Sequence, residues 1–374
     1  MEIREISFYH EFECLAGDCP ENCCHGWVIP LEEEDVLRFQ KEKSLLKLKL
    51  IRATLFTGET FNPYSGTCPF HQADGLCELQ LKKGHDFLPE VCRMYPRFYR
   101  NYGPFEEHYA DLSCIHAAEL FLSHLDDLFL TAGEGESLTP MIFTNDDDAY
   151  LKLLEDSRED LIRTFRTADS FDRLAFLITA AASYARSVQD SYLNRETDYL
   201  LRIPFSAYCE TFRDGHPEGS SARFFPFSSE TIRDLMDSSL FHPRLKQTDP
   251  SFYKMCMLYF ETYKGRMSSN NGWEELYLSF AGRYPELSKA YAGYFIYYLY
   301  LYYLKSYEDY SFRKNTLLGI IHLNLVFMLS VLREKKEGHF DAASLSSVIS
   351  LYNRRACFNA NVLDDMYKCI DYDV

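Results

Sequence analysis

Eight of the twelve cysteines fall within the first 114 residues of this 374-residue chain. Four form one cluster, Cys14-x4-Cys19-x3-Cys23-Cys24, followed at once by His25-Gly26-Trp27. Cys68, Cys77, Cys92 and Cys114 follow singly. Soft thiolates crowded in this way are the ligand set of a metal or iron–sulfur centre. The start, Met1-Glu2-Ile3-Arg4-Glu5, is charged and leads into no apolar run, so no secretory signal is read there. A cytoplasmic location is expected. Thiols stay reduced in that compartment, and clustered cysteines there bind metal or do redox work more often than they form disulfides.

Spacing separates zinc from iron–sulfur only in part. Zinc fingers and ribbons use two short Cys-x2–4-Cys knuckles, whereas here one dense cluster is followed by cysteines spread over about 90 residues. Adjacent Cys23-Cys24 suits one tetrahedral ion badly, because neighbouring side chains diverge. A cluster of several irons offers ligand positions over a larger volume. An iron–sulfur centre is therefore the expectation and zinc the alternative. The eight cysteines could fill one four-iron cluster with spares, or build two centres. His25, which abuts Cys24, is the best histidine candidate among six histidines before residue 117. Cys209, Cys256, Cys357 and Cys369 are isolated and read as inert packed thiols.

A second feature is Glu90-Val91-Cys92-Arg93-Met94-Tyr95-Pro96-Arg97-Phe98-Tyr99-Arg100, with three arginines in eight residues. Guanidinium groups there could offset the charge of a thiolate-bound cluster and donate to its sulfurs. They could equally clamp a carboxylate of a cofactor or substrate. Arg93, Tyr95 and Arg97 are the candidate cofactor-binding residues.

The remainder reads differently. Hydrophobic residues make up 47% of the chain, enough for a sizeable core, and the net charge is −17. An acidic chain disfavours nucleic acid, whose phosphates need Lys and Arg, and attracts basic partners. Beyond about residue 140, apolar residues recur every three or four positions through ten segments, from Tyr150–Phe165 to Val362–Tyr372. The expected fold is mainly α: a small irregular cysteine-rich metal-binding domain over 1–131, a linker at Ala132–Pro140, and a larger all-α domain over 141–374. Helices are expected over about 31–56 and 114–131, with residues 1–31 irregular. Two very apolar segments, Tyr291–Leu304 and Leu317–Leu332, fall short of the roughly 20 residues of a membrane span and read as core helices.

The cysteine motifs resemble those of a known family. The run Cys14-x4-Cys19-x3-Cys23-Cys24-x-Gly26-Trp27-x-Ile29-x-Leu31, then Cys68-Pro69-Phe70, Asp74-Gly75-Leu76-Cys77, Leu88-Pro89-x-x-Cys92-Arg93-x-Tyr95-Pro96-Arg97 and Leu112-Ser113-Cys114, is similar to the flagellin lysine N-methylase family. Its front portion also resembles a broader class of zinc- or iron-chelating cysteine domains. The motifs cover about residues 12–119, and the helical remainder fits the family in length and aromatic character. One departure is that Cys114 is followed by Ile115-His116-Ala117-Ala118-Glu119, where the family has Pro-Glu-Ala-Ala.

The resemblance implies transfer of methyl groups from S-adenosylmethionine to lysine side chains of flagellin, with a 4Fe-4S cluster tied to the cysteines. No residue is assigned as the catalytic base; Tyr95 and Tyr99, close to the cysteines, are only candidates. Neither a glycine-rich loop in a βαβ setting nor a Cys-x3-Cys-x2-Cys run is present, so the donor needs another kind of site, for which the cluster itself is the candidate. The competing reading is a non-catalytic zinc- or iron-binding or redox-sensing protein. A third is a helical adaptor with a structural zinc module.

Overall fold

Ile3 and Ile6 are buried within the opening segment Glu2–Ile6, and that segment is a strand, β1, not irregular chain. It belongs to a four-stranded sheet with β4 (Arg97–Asn101), β5 (Phe105–Ala110) and β6 (Leu130–Glu134), in the order β4-β5-β1-β6. β1 runs parallel to β5, pairing Ile3 with Glu106, and antiparallel to β6. β4 and β5 form a hairpin turned at Gly103, whose φ of +98° favours glycine. The sheet rests on a computed structural model, which describes residues 1–21, 23–24, 29–54, 60–61, 67–141, 143–195, 203–215, 235–240, 246, 250–263, 271–357 and 360–372.

Sequence reading missed the sheet because its central strand is disguised. β5 reads Phe-Glu-Glu-His-Tyr-Ala, and every residue of it is buried. Buried carboxylates survive only with donors. Glu106 accepts from Ser137 Oγ (2.6 Å) and from the backbone N–H of Leu138 (3.0 Å) and Thr139 (3.2 Å). Glu107 accepts from Tyr109 OH at 2.5 Å. The 114–131 helix is shorter than expected: α5 spans Ile115–Ser123, and β6 takes the end of that stretch and the first residues, 132–134, of the expected linker. The 31–56 helix is two, α1 (Glu33–Gln40) and α2 (Leu46–Thr54). A two-stranded ribbon, β2 (Ile29–Pro30) with β3 (Thr60–Phe61), and the short helices α3 (Glu78–Lys83) and α4 (Glu90–Met94) complete the cysteine-rich part.

Beyond residue 141 the expected helices are present: α6 (Asp148–Phe165), α7 (Phe171–Leu193), α8 (Phe205–Gly215), α9 (Pro250–Tyr263), α10 (Asn271–Arg283), α11 (Ser288–Tyr302), α12 (Phe312–Glu337), α13 (Ala342–Ala356) and α14 (Ala360–Tyr372). The protein is mainly α, as its periodicity predicts. Of the expected helix over Tyr192–Phe212, Tyr192 and Leu193 end α7, residues 196–202 lie outside the described residues, and α8 starts at Phe205. Of Thr231–Leu240, residues 235–240 are described and form a single π-turn.

The chain divides into two units. The first comprises residues 1–141, 240–257 and 340–359; the second comprises 142–239, 258–339 and 360–374. In the first, α13 packs on α5. In the second, α12 packs with α7 and α11, and Phe327 meets the rings of Phe171, Tyr277, Phe280 and Tyr291. By length and composition α12 could cross a membrane, but its apolar window is wholly buried inside the protein, as in a core helix.

His322 sits in the middle of α12, fully buried and stacked on Tyr298 at 4.4 Å. Burial lowers its pKa from 6.5 to about 3, because the imidazolium would lose its water there. Between those values the unfolded chain binds a proton that the folded one refuses, so stability falls as pH falls through this window. Replacing His322 with Gln, neutral throughout, should remove that dependence. Between about pH 7 and about pH 4 the wild type should lose on the order of 3 kcal/mol more than the variant, read from urea unfolding curves. Equal losses would refute the assignment.

Candidate metal centre

The site is built from four short segments of the first unit. The most regular is a turn running from Cys68 to Cys77. His71 N–H donates to the Cys68 carbonyl (3.1 Å), Gln72 N–H to that of Leu76 (2.9 Å), and Gly75 N–H to that of Gln72 (3.1 Å). Gly75 holds φ +81°, which a side chain would strain. His71 bridges to Cys77 across the turn, and Cys77 is the N-cap of α3. The turn thus presents a cysteine at each end.

The front cluster docks onto this turn. Cys68 N–H donates to the Cys24 carbonyl at 2.8 Å, joining the two segments through their backbones. The approach is also close at Gly17, where an added Cβ would lie 3.3 Å from the Asp74 carbonyl oxygen. Beneath them lies an apolar floor of Ile29, Leu31, Phe39, Leu46, Leu50, Phe61, Phe70, Leu79 and Leu88. Cys24, Cys68, Cys77 and Cys92 all pack on that floor.

Cys92 is delivered by α4, which a buried carboxylate holds in place. Asp35 closes a capping box with Glu32 on α1, and its Oδ2 also accepts from Glu90 N–H (3.1 Å) at the start of α4. Arg38 pairs with Asp35 and donates to the Leu88 carbonyl (2.7 Å). Cys114 enters from the opposite side as the N-cap of α5.

Electrostatics show which thiols feel one another. Cys24 shares side-chain hydrogen bonds with both Cys23 and Cys68, and these, with burial, push its pKa up. The same bond from Cys24 pulls Cys23 down to about 7 against burial, with Arg354 acting in the same direction. Cys68 is lowered for the same reason. Burial raises Cys92, with the charges of Cys23, Cys68 and Cys77 adding to it. Cys77 is raised by burial and then by Cys68 and Cys23, and Cys19 by burial, Cys23 and Cys14. Burial takes Cys114 to about 12, with Cys19 and Cys23 contributing. Cys14 is exposed. Cys24 is therefore bonded to Cys23 on one side and to Cys68 on the other. Cys19, Cys77, Cys92 and Cys114 lie within their electrostatic reach, and Cys14 lies at the edge. Cys209 and Cys256 are buried elsewhere in the protein, and His25 lies outside the described residues.

The arginine-rich stretch divides by role. Arg97 donates to the Phe12 carbonyl (2.9 Å) and lies over the rings of Tyr9 and Phe12, a packing position. Tyr95 is buried, and its hydroxyl meets Ser113 Oγ at 3.0 Å. Burial, then the charges of Cys114 and Asp111, holds its proton well above the usual range, so Tyr95 is a neutral phenol and not a ready base. Tyr99 takes a hydrogen bond from Tyr9 OH (3.0 Å) on the sheet. Arg93 has a buried Nε with no hydrogen-bond partner among the described residues.

The site also contains an arginine that sequence reading missed. Arg354 of α13 pairs with Glu21 Oε2 at 3.3 Å, between Cys19 and Cys23. No local spacing could have announced it, since the two residues are more than 300 positions apart.

Whether this set suits a soft metal turns on its donors. Four thiols pack on one apolar floor, three more lie within their electrostatic reach, and Arg354 adds guanidinium charge that acts on Cys19 and Cys23. That is a donor set with thiolate-centre chemistry. Among the described residues, however, no three Cys, His, Asp or Glu side chains are grouped so as to hold an ion. The thiols are assembled without meeting at a single point.

No protein-family profile and no solved structure matches this chain. Curated relatives do. It is 25% identical over 146 residues to the flagellar biosynthetic protein FliU of Salmonella muenchen, covering 37% of this chain and 85% of FliU. It is 25% identical over 138 residues to the lysine-N-methylase of Salmonella typhimurium, and likewise to that of Salmonella choleraesuis. Those matches cover 34% of this chain and 34% of each lysine-N-methylase, so the chain spans about a third of those relatives' length. The chain is thus a distant relative of proteins named lysine-N-methylase and FliU, in keeping with the flagellin lysine methylase resemblance of its cysteine motifs.

Proposed function

We propose that this protein methylates lysine side chains of flagellin in the cytoplasm, with S-adenosylmethionine as the methyl donor and a 4Fe-4S cluster held by the N-terminal thiols. The observation that carries the reading is the match to two proteins named lysine-N-methylase. The buried thiol assembly supports it, since it concentrates chemistry in the part of the chain that bears the family-like motifs. The acidic chain, at −17, suits a lysine-bearing protein substrate.

In such a reaction the lysine nitrogen attacks as the neutral amine. Its bond to the methyl carbon forms as the carbon–sulfonium bond breaks, and the nitrogen then gives its extra proton to a base or to water. Bound at the thiols, an iron–sulfur cluster would supply open iron positions able to hold an amino or carboxylate group. Cys23, Cys24 and Cys68 are the residues that would hold it, and three thiolates would leave one iron of a four-iron cluster without a cysteine ligand. Tyr95 and Tyr99 take no part in proton removal on this reading, because one is a buried phenol and the hydroxyl of the other is bonded to Tyr9.

Two measurements test the proposal. Flagellin co-expressed with the intact protein should carry lysine methylation by peptide mass spectrometry, and flagellin expressed without it should not. Unmodified lysines in both samples would leave the metal-binding or redox-sensing reading in place and remove this one. Separately, anaerobically purified Cys24→Ala and Cys68→Ala variants should lose at least about half of their bound iron and the associated absorbance, since each deletes a thiol at the middle of the assembly. Cys256→Ala should retain both. Full iron in the Cys24 and Cys68 variants would mean that these thiols are not ligands.

A further inference from the structure

Helix α13 lies far along the sequence from the cysteines yet belongs to their unit. Asp341 caps it, accepting from Ser344 N–H at 2.8 Å. Leu345, Val348, Ile349, Tyr352 and Ala356 are buried, and the helix packs on α5. Its polar residues meet two cysteine-bearing segments. Ser350 Oγ donates to the Ser113 carbonyl (2.9 Å), in the turn that leads into Cys114. Arg354 pairs with Glu21, and the Cys19 thiol bonds to the backbone carbonyl of that same Glu21 at 3.3 Å.

The Arg354 side chain is only 9% exposed. A guanidinium so deeply buried is costly unless nearby negative charge compensates it. One carboxylate, Glu21, supplies part of that. Arg354 Nε is also buried and has no hydrogen-bond partner among the described residues, so the fork keeps an unused donor at the site. Its field favours the ionised form of Cys19, Cys23 and Tyr95.

We infer that Arg354 is the built-in counter-charge of the thiol centre, a positioning residue carried by α13 and oriented by Glu21, which offsets the negative charge that the sulfurs acquire when they bind a soft cation. The inference rests on the proposed reading that these thiols act as metal ligands. When a thiol binds a cation its sulfur gives its proton to solvent, so four ligands turn a neutral site with a dication outside it into one carrying two negative charges. A buried cation beside that site favours the bound state, whereas Glu21 opposes it.

Cobalt(II) tests this without reference to methyl transfer, because thiolate-to-cobalt charge-transfer absorbance reports sulfur ligation directly. Anaerobic, reduced, metal-free protein would be titrated with cobalt(II) at neutral pH, with circular dichroism confirming the fold of each variant. Arg354→Gln should weaken binding about tenfold, the scale of one opposite charge beside a thiolate. Arg354→Lys should stay within about threefold of the wild type, since it keeps the charge. Ser350→Ala, which loosens the helix without changing charge, should bind as the wild type does. Equal affinity in Arg354→Gln and the wild type would overturn the inference, as would a Ser350→Ala loss as large as that of Arg354→Gln. If Arg354→Gln does not fold, Glu21→Gln decides: tighter binding supports the counter-charge, and unchanged or weaker binding overturns it. A wild type with no charge-transfer band would instead remove the metal-ligand reading itself.

Discussion

One backbone hydrogen bond organises the cysteine-rich unit, from Cys68 N–H to the Cys24 carbonyl at 2.8 Å. It fixes two cysteines from distant segments side by side, and their side chains then share a hydrogen bond of their own. A single such bond contributes only about 1 kcal/mol net. It persists because both residues also rest on the apolar floor formed by α1, α2, β3 and α3, and burying a large apolar side chain there is worth about 2 kcal/mol. The floor carries the stability, and the hydrogen bond sets the register of the sulfurs upon it.

That arrangement creates an electrostatic conflict. Thiols gathered in an apolar place raise one another's pKa through burial and mutual repulsion, as Cys92 and Cys77 do. The groups that escape are Cys23 and Cys68, each held down by its bond from Cys24, with Arg354 also lowering Cys23. Buried inert thiols need no such provision. Cys209 shows the contrast: burial alone takes it to about 12, with two arginines only moderating the effect. The front cysteines are distinguished by how many of them act on one another, not by their individual burial.

Much of this was legible in the sequence, but unevenly. The cysteine spacings and the long periodic segments identified where the donors and helices would be, because both signals are local. The sheet was not legible. Its central strand places Glu106, Glu107 and His108 in full burial, and the donors that permit this, Ser137 and the 138–139 backbone, lie on a stretch that reads as linker. Asp35, which caps α1, also clamps α4 by accepting from Glu90 N–H, a contact across 55 residues that no local pattern announces. Arg97 looked like a site residue because of its neighbours, but its guanidinium is spent on Phe12 and Tyr9. Spacing locates residues along a chain; it does not say which way a side chain turns.

Arg354 shows why the missing part was electrostatic. In a chain with 56 acidic and 39 basic residues, a buried guanidinium has no shortage of exposed carboxylates to pair with. It is found instead on Glu21, between Cys19 and Cys23 in the chain, and is carried on a helix whose other contacts reach the turn before Cys114. Arginine suits that position better than lysine, because a planar fork can hold Glu21 with one nitrogen and direct another elsewhere. An ammonium would concentrate its charge on one atom and be harder to strip of water. The thiol unit therefore includes a helix lying about 230 residues beyond its last cysteine, joined to it by the Ser350–Ser113 hydrogen bond and the Arg354–Glu21 pair.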